Sequence, residues 1–393
     1  MAEGDSDHVR TTLGELRKKR GIPVMQLAQA IGVSRQTIYA MESGAYVPNT
    51  ALALRLARTL ETTVEELFAL TGDTPEPHLR TETSILLSGS DAPQCGQPVQ
   101  LCRVDKRLIA TPPSPLPWYF PATDAVVAEK PGPQRKTKVQ VFNTEDDFSH
   151  RILVAGCDPG ISVLARHAQA AGIELVLAHR NSSQALALLK EGSVHVAGTH
   201  LKDETSGESN LPEIDRLFAK NSVAVISFAV WEEGILAARG NPKKIQGIED
   251  LARKDVSIAN REKGSGSRVL LDSRLKRAGI DWRKIQGYDR LAPGHLAAAW
   301  QVLSGSADCC VATGAAARIF GLHFIPLVSE RYDLVIRKQQ LDSPRMQNVL
   351  DTLNRAGFRR ELESLGGYDT KVSGQRVAWT HIRIELRGSH DFH

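Results

Sequence analysis

From Arg151 onward the sequence alternates short β-branched runs with apolar-periodic stretches, and this alternation confines the second half of the chain to an α/β architecture. RILVAG, IELVLAH and VHVAGTH read as buried parallel strands, separated by the helical ISVLARHAQAAG and SQALALLKEG. The longer run VAVISFAVWEEGILA opens a second unit of the same kind. It continues with VSIAN, a helix from Arg268 to Ala278, another from His295 to Ser304, then DCCVATG and HFIPLV. RYDLVIRK reads as a returning strand and PRMQNVLDTLNRAGFRREL as one closing amphipathic helix. Two α/β lobes joined by two crossing strands make a hinged clamp.

Residues 9–70 follow a different rule and predict five short helices. The first runs from Val9 to about Lys19 and stops at Gly21; the second carries Leu27, Ala28 and Ile31 and turns at Gly32-Val33. Ser34 is placed to cap the third, Arg35 to Glu42, because its hydroxyl can accept an amide hydrogen left free in the first turn. Thr50 to Leu60 and Val64 to Leu70 follow, with Asn49 and Thr62 or Thr63 as caps. Between these regions prolines crowd the chain, and VQLCRV, RLIAT and KVQVFN alternate as short strands do. The expected organisation is multidomain: an all-α helix-turn-helix domain over 1–73, a linker and small β-rich module over 74–149, a two-lobed α/β clamp over 150–375 and a polar tail over 376–393.

A chain of 393 residues is too long for one core, so more than one domain is required. No apolar run is long enough for a membrane span, and MAEGDSDHVR lacks the apolar segment of a secretory signal, which gives cytoplasmic as the expected location. Five cysteines, scattered and without a CxxC pair, favour reduced thiols and leave no structural metal site in the sequence pattern. The net charge of +4 is unevenly placed: residues 8–60 hold eight Lys/Arg against two acids, a balance suited to a phosphate backbone.

In a helix-turn-helix the second helix of the pair enters the major groove and its first residues touch base edges. Those residues here are Arg35, Gln36 and Thr37, and the side chains suit guanine and adenine edges. Tyr39 and Asn49 are within reach of phosphates, and Arg17, Lys18 and Arg55 supply nonspecific attraction. The stretch from LRKKRGIPV through GVSRQTI to EELF resembles the phage-repressor-like (Xre) helix-turn-helix family, which implies double-stranded operator DNA as a partner. That family often places glutamine at the start of the second helix, where this chain has Val24.

NREKGSGSRVLLD ends a strand at Asn260 and opens a helix near Ser267, so its amides and the Ser265 and Ser267 hydroxyls form a candidate oxyanion cradle, with Arg261 or Arg268 supplying charge. GCDPG, Asn181-Ser182-Ser183 and Thr199-His200 fall at the carboxyl ends of other strands, where α/β sheets bind ligands. His200 and His295 read more readily as structural histidines than as ligands.

Residues 151–374 resemble the periplasmic-binding-protein-like domain fused to helix-turn-helix regulators and related to molybdate and tungstate receptors. The matching text includes AGCDPGISVLA, EEGILAARGNPKKIQGIEDLA, SGSADCCVATGAAA and FIPLVSERYDLVI. The resemblance implies a tetrahedral oxyanion such as molybdate or tungstate between the lobes, held by Ser265, Ser267 and Arg268, with Arg261, Asp158, Ser182, Ser183, Thr199 and Tyr332 contributing. Asp158 stands where such receptors carry hydroxyl residues, which keeps a molybdenum-cofactor species or a small organic acid as alternatives. The reading is a non-enzymatic, ligand-responsive transcriptional regulator without a cofactor or resident metal, acting as a homodimer or higher homo-oligomer with no membrane partner. A ligand-storage protein and an enzyme of cofactor chemistry, with Cys157 and His200 as its nucleophile and base, are the other classes.

Overall fold

The computed structural model describes residues 9–70, 80–87, 95–112, 122–142, 148–202, 208–219 and 221–377. The chain forms two compact units, 1–79 and 80–393. Most of the polar tail lies outside the described residues. No helix among those described is long and apolar enough to cross a membrane.

The first unit begins with a strand that the periodicity missed. β1 (Val9–Thr11) pairs antiparallel with β2 (Phe68–Leu70), so the first and last predicted helices are each shortened by strand residues. Between them lie α1 (Leu13–Lys19), α2 (Val24–Ile31), α3 (Arg35–Glu42), α4 (Thr50–Thr59) and α5 (Val64–Leu67). Gly32 ends α2 at φ 75, a left-handed turn that glycine adopts without a Cβ penalty. The Ser34 hydroxyl then accepts the Thr37 N–H, and Asn49 and Thr63 cap the next two helices in the same way. Leu13, Leu27, Ile31, Ile38, Met41, Leu52, Leu56 and Leu60 meet in one core.

The second unit opens with β3 (Arg80–Leu86), β4 (Pro98–Val104), β5 (Arg107–Thr111), β6 (Ala125–Val127) and β7 (Lys136–Val141), which close into a barrel in the order β3-β5-β4-β6-β7. Alternation along the strands explains how it sits. Leu101, Leu108 and Ala110 fill the barrel, whereas Cys102, Val104 and Ile109 join a core with Leu153, Val176, Leu186 and Leu189 of the neighbouring lobe. Arg151 bridges the two by bonding Asp124 at 2.6 Å and the Leu101 carbonyl at 3.0 Å. The module is therefore packed on the clamp rather than strung between domains.

The clamp begins with β8 (Ile152–Gly156), α6 (Ile161–Gln169), β9 (Leu175–His179), α7 (Ser182–Glu191), β10 (Val196–Thr199) and α8 (Leu211–Leu217), and β8 runs parallel to β9 and β10. β11 (Val223–Ala237) crosses to the second lobe, built from β12 (Ile258–Arg261), α9 (Gly266–Arg277), β13 (Leu291–Ala292), α10 (His295–Leu303), β14 (Cys309–Thr313) and α11 (Gly314–Phe320). β15 (His323–Arg337) returns as one 15-residue strand where the sequence suggested two, because HFIPLV and RYDLVIR both pair with the single long partner β11. After α12 (Lys338–Leu341) the closing element is two helices, α13 (Pro344–Asn354) and α14 (Ala356–Ser364), followed by β16 (Tyr368–Asp369) on β11. The sheet order β13-β12-β14-β11-β15-β10-β8-β9 leaves β11 and β15 as the ribbon connecting the lobes.

Candidate functional site

In the first unit, Ile38 and Met41 turn inward, so the 3.6-residue period turns Arg35, Gln36 and Tyr39 outward. Tyr39 is 57% exposed, and Arg35, Gln36, Lys18 and Arg55 are also exposed. Thr37 is half-buried, its hydroxyl 2.9 Å from that of Ser34. Asn49 spends its carboxamide oxygen on the Leu52 N–H as a cap. Arg17 departs from its expected role. It is only 7% exposed, with its guanidinium on the Glu42 carboxylate at 2.6 Å and the Ile22 carbonyl at 2.9 Å, so it is an internal tie and not a phosphate contact.

In the clamp, strand ends and the hinge ribbon converge on one buried polar cluster. Cys157 follows β8, His179 ends β9, His200 follows β10, Arg261 ends β12 and His295 opens α10. From the ribbon, the two-residue period puts Trp231 and Glu233 of β11 on one side, and Glu330 and Tyr332 of β15 face the same cluster. The lobes touch around it: the Ser183 N–H donates to the Gly264 carbonyl at 3.3 Å and the Asn181 carboxamide to the Lys263 carbonyl at 3.4 Å. Cys157, His200, Trp231, Glu233, Arg261, His295 and Tyr332 are each at most 2% exposed.

The connections inside the cluster are specific. Cys157 Sγ lies 3.6 Å from His200 Nε2 and 3.8 Å from His295 Nε2. His200 Nδ1 is 3.0 Å from Glu330 Oε2, and His295 Nδ1 is 3.8 Å from Glu233 Oε1. Trp231 packs edge-on against both imidazoles, at ring-centre distances of 4.8 and 5.1 Å. Tyr332 stands against Gly156 and Gly198, where any Cβ would overlap its phenol. Seven buried polar atoms of this cluster have no hydrogen-bond partner among the described residues: Asp158 Oδ2, His179 Nε2, Trp231 Nε1, Glu233 Oε2, Arg261 Nη1, His295 Nδ1 and Tyr332 OH. Each such atom costs about 1–3 kcal/mol when left unsatisfied, so their concentration in one place is a strong requirement for a partner.

Burial and charge push the titratable groups apart. Burial raises Asp158 to about 6, against the pull of the Tyr368 hydroxyl and the Gly160 N–H that donate to it. Burial, with the Glu330 carboxylate beside it, also raises Glu233. Burial works against a charged His200, but the Cys157 sulfur and the Glu330 carboxylate outweigh it and hold the imidazole well above its ordinary value. His295 goes the other way, driven well down by burial and then by Arg261. His179 falls to about 4 for the same two reasons.

The expected cradle is arranged differently. Ser265 caps α9 by accepting the Arg268 N–H and donates to the Glu262 carbonyl, so its hydroxyl is committed. Ser267 donates to Glu233. Arg268 lies over the Tyr288 ring at 3.9 Å and bonds Asp272 and the Arg261 carbonyl, which turns it away from the cleft. Ser182 accepts the His200 N–H, Thr199 donates to Asn210, and Ser183 contributes its backbone to the lobe contact. Of the expected ligand residues, Arg261, Asp158 and Tyr332 keep unpaired atoms in the cluster. Asp158 pairs with Tyr368 rather than with Arg261 or Arg268.

Sequence reasoning did not assign His179, Trp231, Glu233 or Glu330, and it set His295 aside as structural. A signal was present in VAVISFAVWEEGILA and SERYDLVI: polar and charged residues inside strands otherwise buried along their whole length.

Residues 8–70 match a helix-turn-helix domain and residues 165–354 match a PBP superfamily domain. The chain is similar to the uncharacterized protein YvgK of Bacillus subtilis (strain 168), 34% identical over 242 residues that cover 61% of this chain and 78% of that protein. Its N-terminal part is similar to an uncharacterized HTH-type transcriptional regulator of Methanothermobacter thermautotrophicus, 44% identical over 66 residues covering 16% of this chain and 96% of that one. Among solved structures, the sulfate-binding protein SubI from Mycobacterium tuberculosis H37Rv aligns at 17% identity and a TM-score of 0.42, covering 56% of this chain and 86% of that chain. The chain belongs to the same family as YvgK, and it joins an N-terminal helix-turn-helix domain to a PBP superfamily domain in its C-terminal part.

Proposed function

We propose that the protein is a transcriptional regulator whose operator binding is set by a small polar effector held between the lobes of the clamp. The seven unpaired polar atoms carry this reading, because they come from both lobes and the hinge ribbon and a bound molecule is the economical way to satisfy them together. An effector that touches both lobes favours the closed clamp by its differential affinity and so shifts the balance between states. The DNA head supplies the output through Arg35 and Gln36, which lie outward on a capped recognition helix. Readers of this kind use paired half-sites, so a homodimer or larger homo-oligomer is the working form.

Arg261 Nη1, Trp231 Nε1 and Tyr332 OH can donate to an oxyanion, which supports an anionic component of the molybdate or tungstate class. Asp158 Oδ2 and Glu233 Oε2 are acceptors beside them and would repel a bare dianion. The effector therefore carries acceptor atoms on one side and a cationic or proton-donating group on the other. The pair required by a catalytic reading, Cys157 and His200, does come together, yet the second imidazole on the same sulfur has no place in a nucleophile–base dyad, and binding without turnover fits better.

The test is selection of operator DNA from a random library by the full chain, followed by affinity measurement for Arg35→Ala with Gln36→Ala. Loss of roughly tenfold or more is expected, at about 1–3 kcal/mol for each bidentate base contact. Failure to enrich any sequence, or a double variant that binds as well as wild type, overturns the reading.

A further inference from the structure

Cys157 and His200 follow strands of the first lobe and His295 opens a helix of the second, yet they present one sulfur and two ring nitrogens to the same point. We propose that Cys157 Sγ, His200 Nε2 and His295 Nε2 bind one divalent transition-metal ion of the zinc class, with a fourth coordination position left to the effector. The proposal rests on the effector reading above and names the cationic side of that site.

Distance is the first argument. A tetrahedral ion with metal–sulfur and metal–nitrogen bonds of the usual zinc length places its sulfur and nitrogen ligands about 3.6 Å apart. The two sulfur–nitrogen separations are 3.6 and 3.8 Å, and the three ligand atoms all lie within 4.8 Å of one another.

The far side of each ring gives a second, independent argument. A metal-bound histidine usually donates its other ring N–H to a carboxylate or carbonyl, which fixes the tautomer and the ring's aim. Glu330 occupies that position on His200, at 3.0 Å from Nδ1, and Glu233 lies 3.8 Å from Nδ1 of His295. His295 Nδ1 is unpaired, and the Glu233 oxygen beside it, Oε1, also accepts from Ser267, so the carboxylate is already fixed where the ring N–H would need an acceptor. Arg261, the guanidinium beside the cluster, is already shared with Glu262 at 3.2 Å. Ligands from both lobes make binding of an ion a clamp-closing event.

A set built on Glu233, Glu330 and His200 is the competing arrangement, and sulfur separates the two. The full chain, stripped with a chelator under reducing conditions, is titrated with Co2+ and followed by absorption. One Co2+ per chain is expected, with a sulfur-to-cobalt charge-transfer band in the near ultraviolet, four-coordinate d–d bands in the visible, and displacement by stoichiometric Zn2+. Cys157→Ser is expected to lose the charge-transfer band. The wild-type spectrum alone decides if that variant fails to fold. Substoichiometric uptake, cobalt bound without the sulfur band, or an unchanged band in Cys157→Ser overturns the proposal. A chain that selects DNA but takes up no cobalt loses the metal site and keeps the regulator reading, whereas a chain that shows the sulfur band but selects no DNA does the reverse.

Discussion

His200 is held between a sulfur and a carboxylate: its Nε2 lies 3.6 Å from Cys157 Sγ while its Nδ1 lies 3.0 Å from Glu330 Oε2. The ring sits at the end of β10 and the carboxylate on β15, which pairs with β10 in antiparallel register, so the contact is built into the sheet. Glu330 is the residue that aims the imidazole. Glu330→Gln is expected to weaken Co2+ binding by about 10–100-fold while keeping the sulfur band, since the sulfur ligand is untouched. A competition titration against a chromophoric chelator reads it. Unchanged affinity would remove Glu330 from the site, and complete loss of cobalt would place the ion on the carboxylates.

Arg17 and Lys18 are adjacent and should behave as opposites. Arg17→Ala leaves Glu42 nearly buried without its guanidinium and is expected to destabilise the first unit by about 3 kcal/mol, the lower range for breaking a buried pair. Lys18→Ala should leave the thermal midpoint unchanged and reduce the salt dependence of DNA binding by about one phosphate's worth. Thermal unfolding and a salt series of DNA affinity separate the two. A stable Arg17→Ala protein with weakened DNA binding would restore the phosphate role.

His195 gives a pH dependence whose sign follows from its hydrogen bond. Its Nδ1 accepts the Leu153 N–H at 2.9 Å, which requires the unprotonated nitrogen, and burial lowers the group to about 4, with Arg345 and Arg337 reinforcing the shift and Asp105 opposing it. The unfolded chain takes up the proton below about 6.5 and the folded chain only near 4, so stability is lost as pH falls through that window. His179 adds to the loss over the same range, whereas Asp158, raised to about 6, offsets part of it because the fold prefers its protonated form. His195→Gln can still accept the Leu153 N–H and cannot titrate, so its stability should fall by about 3 kcal/mol less than wild type between pH 6.5 and 4. Parallel slopes of thermal midpoint against pH would contradict this.

The sequence was most informative where one period or one cap decides the outcome. Ser34, Asn49, Thr63 and Gly32 end or begin helices where their side chains and backbone preferences direct. The clamp's strands were visible as apolar runs, but β1 was not, because a three-residue strand has no period of its own and forms only when β2 supplies its partner. The site was legible in part. Arg261 and Asp158, expected from strand-end loops, and Tyr332, expected from the family resemblance, keep unpaired atoms in the cluster, while Ser265, Ser267 and Arg268 spend theirs on a helix cap, Glu233 and the Tyr288 ring, because a helix cap and an anion cradle use the same residue types. Glu233 and Glu330 were missed since their meaning lies in what faces them across the ribbon and the cleft.

Gly266 allows the account to be tested at its joint. It sits at the start of α9 in the second lobe against the carbonyl and ring of His200 in the first, and a methyl group there would overlap both, so Gly266→Ala should hold the clamp open without touching the DNA head. The direct measurement is fluorescence anisotropy of the full chain on its selected operator, alone and with saturating Zn2+, molybdate, tungstate, sulfate or phosphate, singly and with Zn2+ added to each anion. The account predicts that at least one condition changes the wild-type Kd by about fivefold or more and that the same condition leaves Gly266→Ala unchanged. A wild-type Kd indifferent to every condition, or an equal shift in Gly266→Ala, would contradict it.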